Sequence, residues 1–200
     1  IPTIGERTVF QIRIHGRGGQ GVVTAAEMLA LAGFMEGHQA QAFPSFGSER
    51  TGAPVVAFAR LSPKEIRLRE PVLEPDVVLV QDRTLLDSVD VFAGLKPEGY
   101  VLINSSRSPE ELGLGELVER LPAGHVLTVP ATHYALEKIG RPLPGAAMLA
   151  GFAAMTGMMK LESVQAAYNA KFSGRIAQAN ADVAELAFRA VKSSLGEEHA

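Results

Sequence analysis

The sequence predicts an α/β protein built on a Rossmann-like, doubly wound sheet. A glycine-rich segment directly follows the first stretch of alternating apolar and polar residues, and short continuous apolar runs recur later, separated by segments of helical character. Continuous apolar runs are typical of strands covered on both faces, and strands that alternate with helices favour an open sheet. We expect a glycine-rich loop after the first strand, a β-hairpin insertion, a helical C-terminal third and a single domain over residues 1–200.

The first strand is predicted over residues 8–15, where apolar and polar residues alternate as a strand requires. Residues 53–59 and 66–68 are predicted to form the hairpin, joined around the turn at Ser62, Pro63 and Lys64. Three further strands are predicted at residues 77–80, 100–103 and 126–129.

Apolar residues at helical spacing predict the helices. One stripe follows the glycine-rich segment, a second follows Gly145, and a third lies near the end of the chain. Their members are Val22, Ala26, Leu29 and Gly33; then Met148, Phe152, Met155 and Met159; then Val183, Leu186, Ala190 and Val191.

Composition excludes several classes of function. A formal net charge of -3 argues against nucleic-acid binding, which requires a surplus of basic residues on one face. The absence of cysteine excludes a disulfide, a thiolate zinc site and an iron–sulfur cluster on this chain. No targeting pattern begins the chain and no apolar run approaches the roughly 18 residues of a membrane span, so we expect a cytoplasmic protein without a membrane partner.

The strongest motif is GRGGQG at residues 16–21, between a predicted strand and a predicted helix. Glycines let the main chain approach a phosphate closely, and the positive end of the following helix attracts the anion. The motif therefore predicts a bound phosphate group, although glycines that only permit close packing of strand and helix are an alternative. The predicted binding residues are Gly16, Arg17, Gly18, Gly19, Gln20 and Gly21.

A second candidate loop follows at residues 43–54, FPSFGSERTGAP. Arg50 can grip a phosphate or carboxylate with its planar guanidinium, and Ser45 can donate to the same anion. An ion pair of Arg50 with Glu49 or with another surface acid is an equal alternative. The binding residues predicted in this loop are Ser45, Phe46, Gly47 and Arg50.

No catalytic residue or metal ligand is predicted. His15 and His133 have no partner that the sequence pattern can assign, and the methionines near residue 150 have the spacing of packing residues. An NAD site would add an acidic residue about 20 positions after the glycine loop, where this chain has QAQAF at residues 39–43.

The two motifs, in this order and spacing, resemble the gamma subunits of pyruvate and 2-oxoisovalerate:ferredoxin oxidoreductases. The resemblance extends through PDVV at residues 75–78, GRPLP at residues 140–144 and Asn180, so it covers nearly the whole chain. It departs from the pattern at Gly145, where the family usually has asparagine, and at Ser48, where it usually has proline.

The resemblance implies a complex that converts a 2-oxoacid, coenzyme A (CoA) and oxidised ferredoxin into acyl-CoA, CO2 and reduced ferredoxin. Thiamine diphosphate, magnesium and [4Fe–4S] clusters would then lie on catalytic alpha and beta subunits and a ferredoxin-like delta subunit. This chain would contribute assembly and a share of the CoA site, without being catalytic alone. The alternatives are an independent NAD(P)-binding oxidoreductase and a purely architectural subunit with an empty glycine loop.

Overall fold

The computed structural model describes residues 9–45 and 50–198. Within these residues, six strands, six α-helices and one short 3₁₀ helix follow one another. They are β1 (Phe10–Arg17), α1 (Val22–Met35), β2 (Gln39–Pro44), β3 (Pro54–Ser62), β4 (Val77–Val80), the 3₁₀ helix (Arg83–Asp87), β5 (Tyr100–Asn104), α2 (Gly115–Arg120), β6 (Val126–Val129), α3 (Ala131–Lys138), α4 (Gly145–Thr156), α5 (Leu161–Lys171) and α6 (Gly174–Glu198).

The strands form one mixed sheet in the order β2-β3-β1-β4-β5-β6. Neighbouring strands run parallel from β1 through β4 and β5 to β6, whereas β3 is antiparallel to both β1 and β2. The predicted fold class is confirmed, including the three short apolar strands and the helical C-terminal part. No helix among the described residues is both long and apolar enough to cross a membrane.

Each face of the sheet has its own apolar cluster. One face packs mainly against α1, α4, α5 and α6 through residues such as Ile12, Leu79 and Phe152. On the other face, Val78 and Ile103 pack against the 3₁₀ helix and α2. Because β4 and β5 are covered on both sides, all their central positions are apolar, which is why these strands appear in the sequence as continuous runs.

The predicted hairpin is correct for one strand and wrong for its partner. β3 forms where expected, but it pairs with β2, in a register that places Ala42 opposite Ala59. Residues 66–68 form no strand; Leu68 is 43% exposed, and its carbonyl accepts a hydrogen bond from the Gln41 side chain. Charged neighbours on both sides of this segment leave it without an apolar face to bury.

The polar side of β1 is buried as well as its apolar side. Arg13 is 7% exposed, and its guanidinium donates to the carbonyls of Val72, Val91 and Ala93. Its Nε also donates to Nε2 of His15 at 3.0 Å. Burial, followed by the charge of Arg13, lowers the pKa of His15 to about 4. His15 is therefore a neutral hydrogen-bond acceptor within the fold.

The predicted helical stripes are confirmed with small shifts. All four positions of the first stripe are buried in α1. α4 is buried throughout and ends at Thr156, so Met159 lies beyond it. In α6, Val183 and Val191 of the predicted stripe are buried, while Leu186 and Ala190 are half-buried.

Candidate functional site

A cleft of about 650 Å³ opens at the edge of the sheet where the parallel strands end. Open α/β sheets place their ligand sites at this edge, because loops from neighbouring strands converge there. The loops after β1, β4, β5 and β6 each contribute to the wall. The lining residues are Gly18, Gly19, Gln20, Thr51, Gln81, Asp82, Arg83, Thr84, Asn104, Ser105, Ser106, Arg107, Pro130, Thr132, His133, Pro142 and Pro144.

The glycine loop needs its glycines for two different reasons. Gly19 and Gly21 adopt left-handed conformations with φ of 93° and 72°, which favour glycine. Gly16 and Gly18 are constrained by neighbours: a Cβ on Gly16 would lie 2.5 Å from Cγ2 of Val22, and one on Gly18 would overlap the carbonyl oxygen of Arg50. Close packing thus explains two of the glycines and loop conformation the other two.

The two motifs found in the sequence meet in the structure. The Gly18 N–H donates to the carbonyl of Ala53 at 2.9 Å, and the Gly52 N–H donates to the carbonyl of Gly18 at 3.0 Å. The Arg17 guanidinium reinforces this contact by donating to the carbonyl of Gly52 at 3.0 Å. The glycine loop and the turn at residues 50–53 therefore form one unit.

A hydrogen-bonded cluster joins the glycine loop to the end of β4. Gln20 accepts from the Arg17 N–H and donates to Asp82, while Asp82 accepts from both the main chain and the hydroxyl of Thr84. Arg17 lies 3.4 Å from the Asp82 carboxylate. Burial raises the pKa of Asp82, but the bonds from Thr84 and Gln20 and the charge of Arg17 outweigh it, so the net shift is downward. The Asp82 carboxylate is therefore ionised, and the positive charge of Arg17 balances it within this cluster.

The amino terminus of α1 lies beside this cluster without a side-chain cap. Gly21 occupies the cap position, and the first turn carries no acidic residue. Unbonded N–H groups and the helix dipole make such an end attractive to anions. Gln20 lines the cleft and also a second, mostly apolar cavity of about 250 Å³ that Gly21, Thr24 and Tyr168 border.

The Asn104 side chain connects residues that line the cleft after β4 and after β6. Its amide nitrogen donates to the carbonyl of Gln81 at 2.9 Å and to the Thr132 hydroxyl at 2.7 Å, and its oxygen accepts from the Thr132 N–H at 3.1 Å. A single side chain therefore ties the ends of β4 and β5 to the start of α3.

The exposed charges of the cleft are mainly positive. Arg83 and Arg107 are exposed at its wall, and Asp82 is neutralised as described. His133 also lines the cleft; it is exposed, with Nε2 4.0 Å from Glu137. The wall thus suits a ligand that carries negative charge together with polar neutral groups.

The structure distributes the predicted site residues unevenly. Gly18, Gly19 and Gln20 line the cleft, whereas Gly16, Arg17 and Gly21 shape the loop behind them. Ser45 and Arg50 are exposed, but Thr51 is the described residue of that stretch that reaches the cleft. Phe46 and Gly47 lie outside the described residues.

Sequence reasoning missed several lining residues because they are isolated polar side chains without a motif. Each nevertheless lies within three positions of the end of a predicted strand, and the carboxyl ends of parallel strands meet at one edge. A list of polar residues at strand ends would have found them: Gln81, Asp82, Asn104, Ser105 and Thr132.

The topology disfavours a dinucleotide site. In the dinucleotide-binding fold, the strand after the first helix lies beside the first strand, and an acidic residue at its end binds the ribose. Here β3 separates β2 from β1, which places β2 two strand spacings, roughly 10 Å, from β1. β2 has the sequence QAQAFP and ends at Pro44. It therefore carries no acidic residue at its end, and that end does not lie beside β1.

The residues of this chain do not fit the metal-based cofactors of the reaction that the resemblance implies. The sequence has no cysteine to bind a cluster. Among the described residues, no group of three or more histidine, aspartate or glutamate side chains is arranged to hold a metal ion.

The chain is similar to known gamma-type subunits over almost its whole length. A common gamma subunit of pyruvate/ketoisovalerate oxidoreductases from Thermococcus kodakarensis is 51% identical over 180 residues, covering 90% of this chain and 96% of that protein. A pyruvate synthase subunit PorC from Methanocaldococcus jannaschii is 45% identical over 188 residues, covering 94% of this chain and 100% of that protein.

Solved structures share the fold of this chain. The pyruvate oxidoreductase subunit PORC of Thermotoga maritima superposes with a TM-score of 0.76 at 34% identity, covering 92% of this chain and 97% of that one. The 2-oxoglutarate:ferredoxin oxidoreductase of Magnetococcus marinus, solved with 2-oxoglutarate, coenzyme A and succinyl-CoA, gives 0.72 at 16% identity, covering 94% of this chain and 32% of that one; this likeness shows the fold alone. The sequence profile of the pyruvate ferredoxin/flavodoxin oxidoreductase family matches residues 11–190. The chain therefore belongs to that family, as a subunit of the gamma type.

Proposed function

We propose that this subunit supplies part of the CoA site of a 2-oxoacid:ferredoxin oxidoreductase through the cleft at the carboxyl edge of its sheet. The observation that carries the proposal is the convergence of the glycine loop and two exposed arginines on one cleft of about 650 Å³, with the uncapped start of α1 directly after that loop. CoA carries three phosphate groups on a long, otherwise neutral body. The arginines and the terminus of α1 would bind phosphates, and the remaining polar wall would hold neutral parts.

We further propose that alpha and beta subunits hold thiamine diphosphate and magnesium, and that a ferredoxin-like delta subunit holds the [4Fe–4S] clusters that reduce ferredoxin. The lack of cysteine in this chain supports that division. Its role would be to position the thiol carrier, because holding a reactant in the correct orientation lowers the barrier without a bond-breaking residue. We place the complex in the cytoplasm.

We also propose that residues 1–200 act as one domain. The strands of the sheet come from residues 10 to 129, and the helices after residue 130 pack on that same sheet. A chain divided after residue 130 would separate α4, α5 and α6 from the face of the sheet that they cover together with α1.

Anaerobic purification of the tagged subunit from its own host tests the partnership. We expect thiamine- and cluster-bearing subunits to co-purify, and the preparation to reduce a viologen dye only when both a 2-oxoacid and CoA are present. A homo-oligomer that lacks such partners and oxidises NADH would refute the proposal. NADH and CoA are compared in the same preparation by thermal shift, since a ligand of the folded state raises its apparent stability.

Substitution of the cleft arginines tests the CoA site itself. We expect Arg83→Ala and Arg107→Ala to raise the KM for CoA by about three- to tenfold each, as for loss of a charge-assisted hydrogen bond near solvent. The KM for the 2-oxoacid should stay constant. Arg120→Ala is the matched control, because Arg120 is exposed at the end of α2 and does not line the cleft. Equal values of KM for CoA in all three variants would exclude the cleft as a CoA site.

A purely architectural role is the second candidate, and the glycine loop itself favours it. Gly16 and Gly18 are required by close packing, whether or not a ligand binds. Exposed apolar side chains, among them Leu73 at 75% and Phe34 at 64% exposure, offer contact area to other subunits. The arginine variants separate this candidate from the first, because an architectural subunit predicts unchanged CoA kinetics.

A further inference from the structure

Gln81 has a buried side-chain amide without a hydrogen bond. It follows β4 directly and is 1% exposed. Among the described residues, neither Nε2 nor Oε1 has a partner. Its main chain, by contrast, is satisfied: the N–H donates to the carbonyl of His15 at 2.7 Å, and the carbonyl accepts from Asn104 at 2.9 Å.

This arrangement is unusual because buried side-chain amides almost always find partners. An apolar residue of similar length would fill the position without the cost of desolvating an amide. The other amides of the cleft are occupied, Gln20 by Arg17 and Asp82, and Asn104 by Gln81 and Thr132. Gln81 also lines the cleft, and among the described lining residues its side-chain amide is the one without a hydrogen-bond partner.

The Gln81 side chain lies near two positions that carry no side chain. Two glycines flank it: a Cβ on Gly16 would lie 3.3 Å from its Cβ, and a Cβ on Gly145 would lie 4.0 Å from its Nε2. The same position over Gly145 would be 2.8 Å from the Tyr168 hydroxyl. A side chain at residue 145 would therefore crowd the Tyr168 hydroxyl and reach van der Waals contact with the Gln81 amide, and Gly145 itself lines the second cavity.

We propose that the Gln81 amide is a specificity determinant that hydrogen-bonds a neutral donor–acceptor group of the ligand in the cleft. An amide offers one donor and one acceptor side by side, which complements another amide or the edge of an adenine ring. CoA carries both chemistries, in its pantetheine arm and in its base. The inference rests on the proposed function, and it requires the Gln81 side chain to turn into the cleft as the ligand binds.

The test uses the whole complex with Gln81→Met, which keeps length but removes both hydrogen-bonding atoms. Gln178→Met is the matched control, because Gln178 is exposed on α6 and does not line the cleft. Pantetheine and adenosine 3′,5′-bisphosphate serve as competitive probes against CoA. The first carries the amides without the base, and the second carries the base without the amides.

We expect Gln81→Met to raise the inhibition constant of one probe about three- to tenfold, the effect of one neutral hydrogen bond, with the KM for the 2-oxoacid unchanged. The probe that responds identifies the group that Gln81 contacts. The substitution should also raise the thermal unfolding midpoint of the ligand-free complex, because a buried unbonded amide is removed. A purely structural amide, bonded through an ordered water, would show the opposite: a lower midpoint and unchanged probe affinities, which would overturn the inference.

Failure of this inference differs from failure of the proposed function. If Arg107→Ala raises the KM for CoA while Gln81→Met leaves both probe affinities unchanged, the cleft binds CoA and only the role of Gln81 is wrong. If Arg83→Ala, Arg107→Ala and Gln81→Met all leave CoA and both probes unaffected, the cleft is not the CoA site and both proposals fall.

Discussion

The main-chain carbonyl of Arg50 occupies the space that a side chain on Gly18 would need. This contact joins the glycine loop to the turn that follows residue 49, with hydrogen bonds from Gly18 to Ala53 and from Gly52 to Gly18. The conformation of the glycine loop therefore depends on contacts with a second segment, which lies more than 30 positions after it in the sequence. A phosphate that binds the loop would depend on both segments.

Gly18→Ala should destabilise the subunit by about 2–3 kcal/mol, because the new methyl group meets rigid main chain that no side-chain rotation can clear. Denaturant unfolding of the isolated subunit measures the change. Gly115→Ala is the control: nothing lies within 4 Å of its added Cβ, at the first position of α2. A Gly18→Ala variant as stable as the control would show that the two segments separate easily.

The sheet could be predicted from the sequence because its central strands are buried on both faces. β4 is apolar at every position and β5 at all of its central positions, so their pattern does not depend on distant contacts. The partner of β3 could not be predicted in the same way. β2 has the sequence QAQAFP, in which amides and alanines alternate at an edge, and pairing there depends on tertiary contacts rather than on an apolar run.

The site was predicted in part for a similar reason. The glycine loop has a motif, so Gly18, Gly19 and Gln20, which line the cleft, could be named from the sequence; that they bind a ligand stays a prediction. Gln81 and Asn104 carry no motif, because their positions at the cleft come from the order of strands in the sheet. The burial of Arg13 could not be predicted from the sequence either. Alternating apolar and polar residues assign side chains to the two faces of a strand, but they do not show whether the polar face is exposed to solvent.

Arg13→Met should lower the free energy of unfolding by about 3 kcal/mol. The substitution relieves the desolvation that lowers the pKa of Arg13, but it leaves the carbonyls of Val72, Val91 and Ala93 without their donor. Urea unfolding checks the value, with Arg120→Met as the exposed control, which should change by less than about 0.5 kcal/mol. If both variants were equally stable, water would bond to the three carbonyls as favourably as the guanidinium does, and the prediction would be wrong.

His15 should make the stability of the fold depend on pH between 6.5 and about 4. The unfolded side chain takes up a proton near pH 6.5, whereas burial holds the pKa of the folded side chain at about 4. The unfolded state therefore binds more protons in this window, and stability falls as pH decreases, by about 3 kcal/mol in total. Above pH 6.5 the contribution is fully present.

Unfolding of His15→Gln at pH 7 and pH 4.5 measures this contribution. Glutamine keeps an acceptor for Arg13 but does not titrate, so the difference in stability between the two pH values should shrink. The control, His133→Asn at an exposed position, should keep that difference. An unchanged difference in His15→Gln would assign the pH dependence to carboxylates elsewhere.

Asn104→Ala should weaken the wall of the cleft as well as the fold. It removes three hydrogen bonds that join Gln81, Asn104 and Thr132, and at a net value near 1 kcal/mol each the subunit should lose about 2–3 kcal/mol. The KM for CoA should also rise, since the ends of β4 and β5 are no longer held to α3. Asn169→Ala, at an exposed position of α5, should change neither quantity. Loss of stability without any change in KM would mean that Asn104 supports the sheet but not the geometry of the cleft.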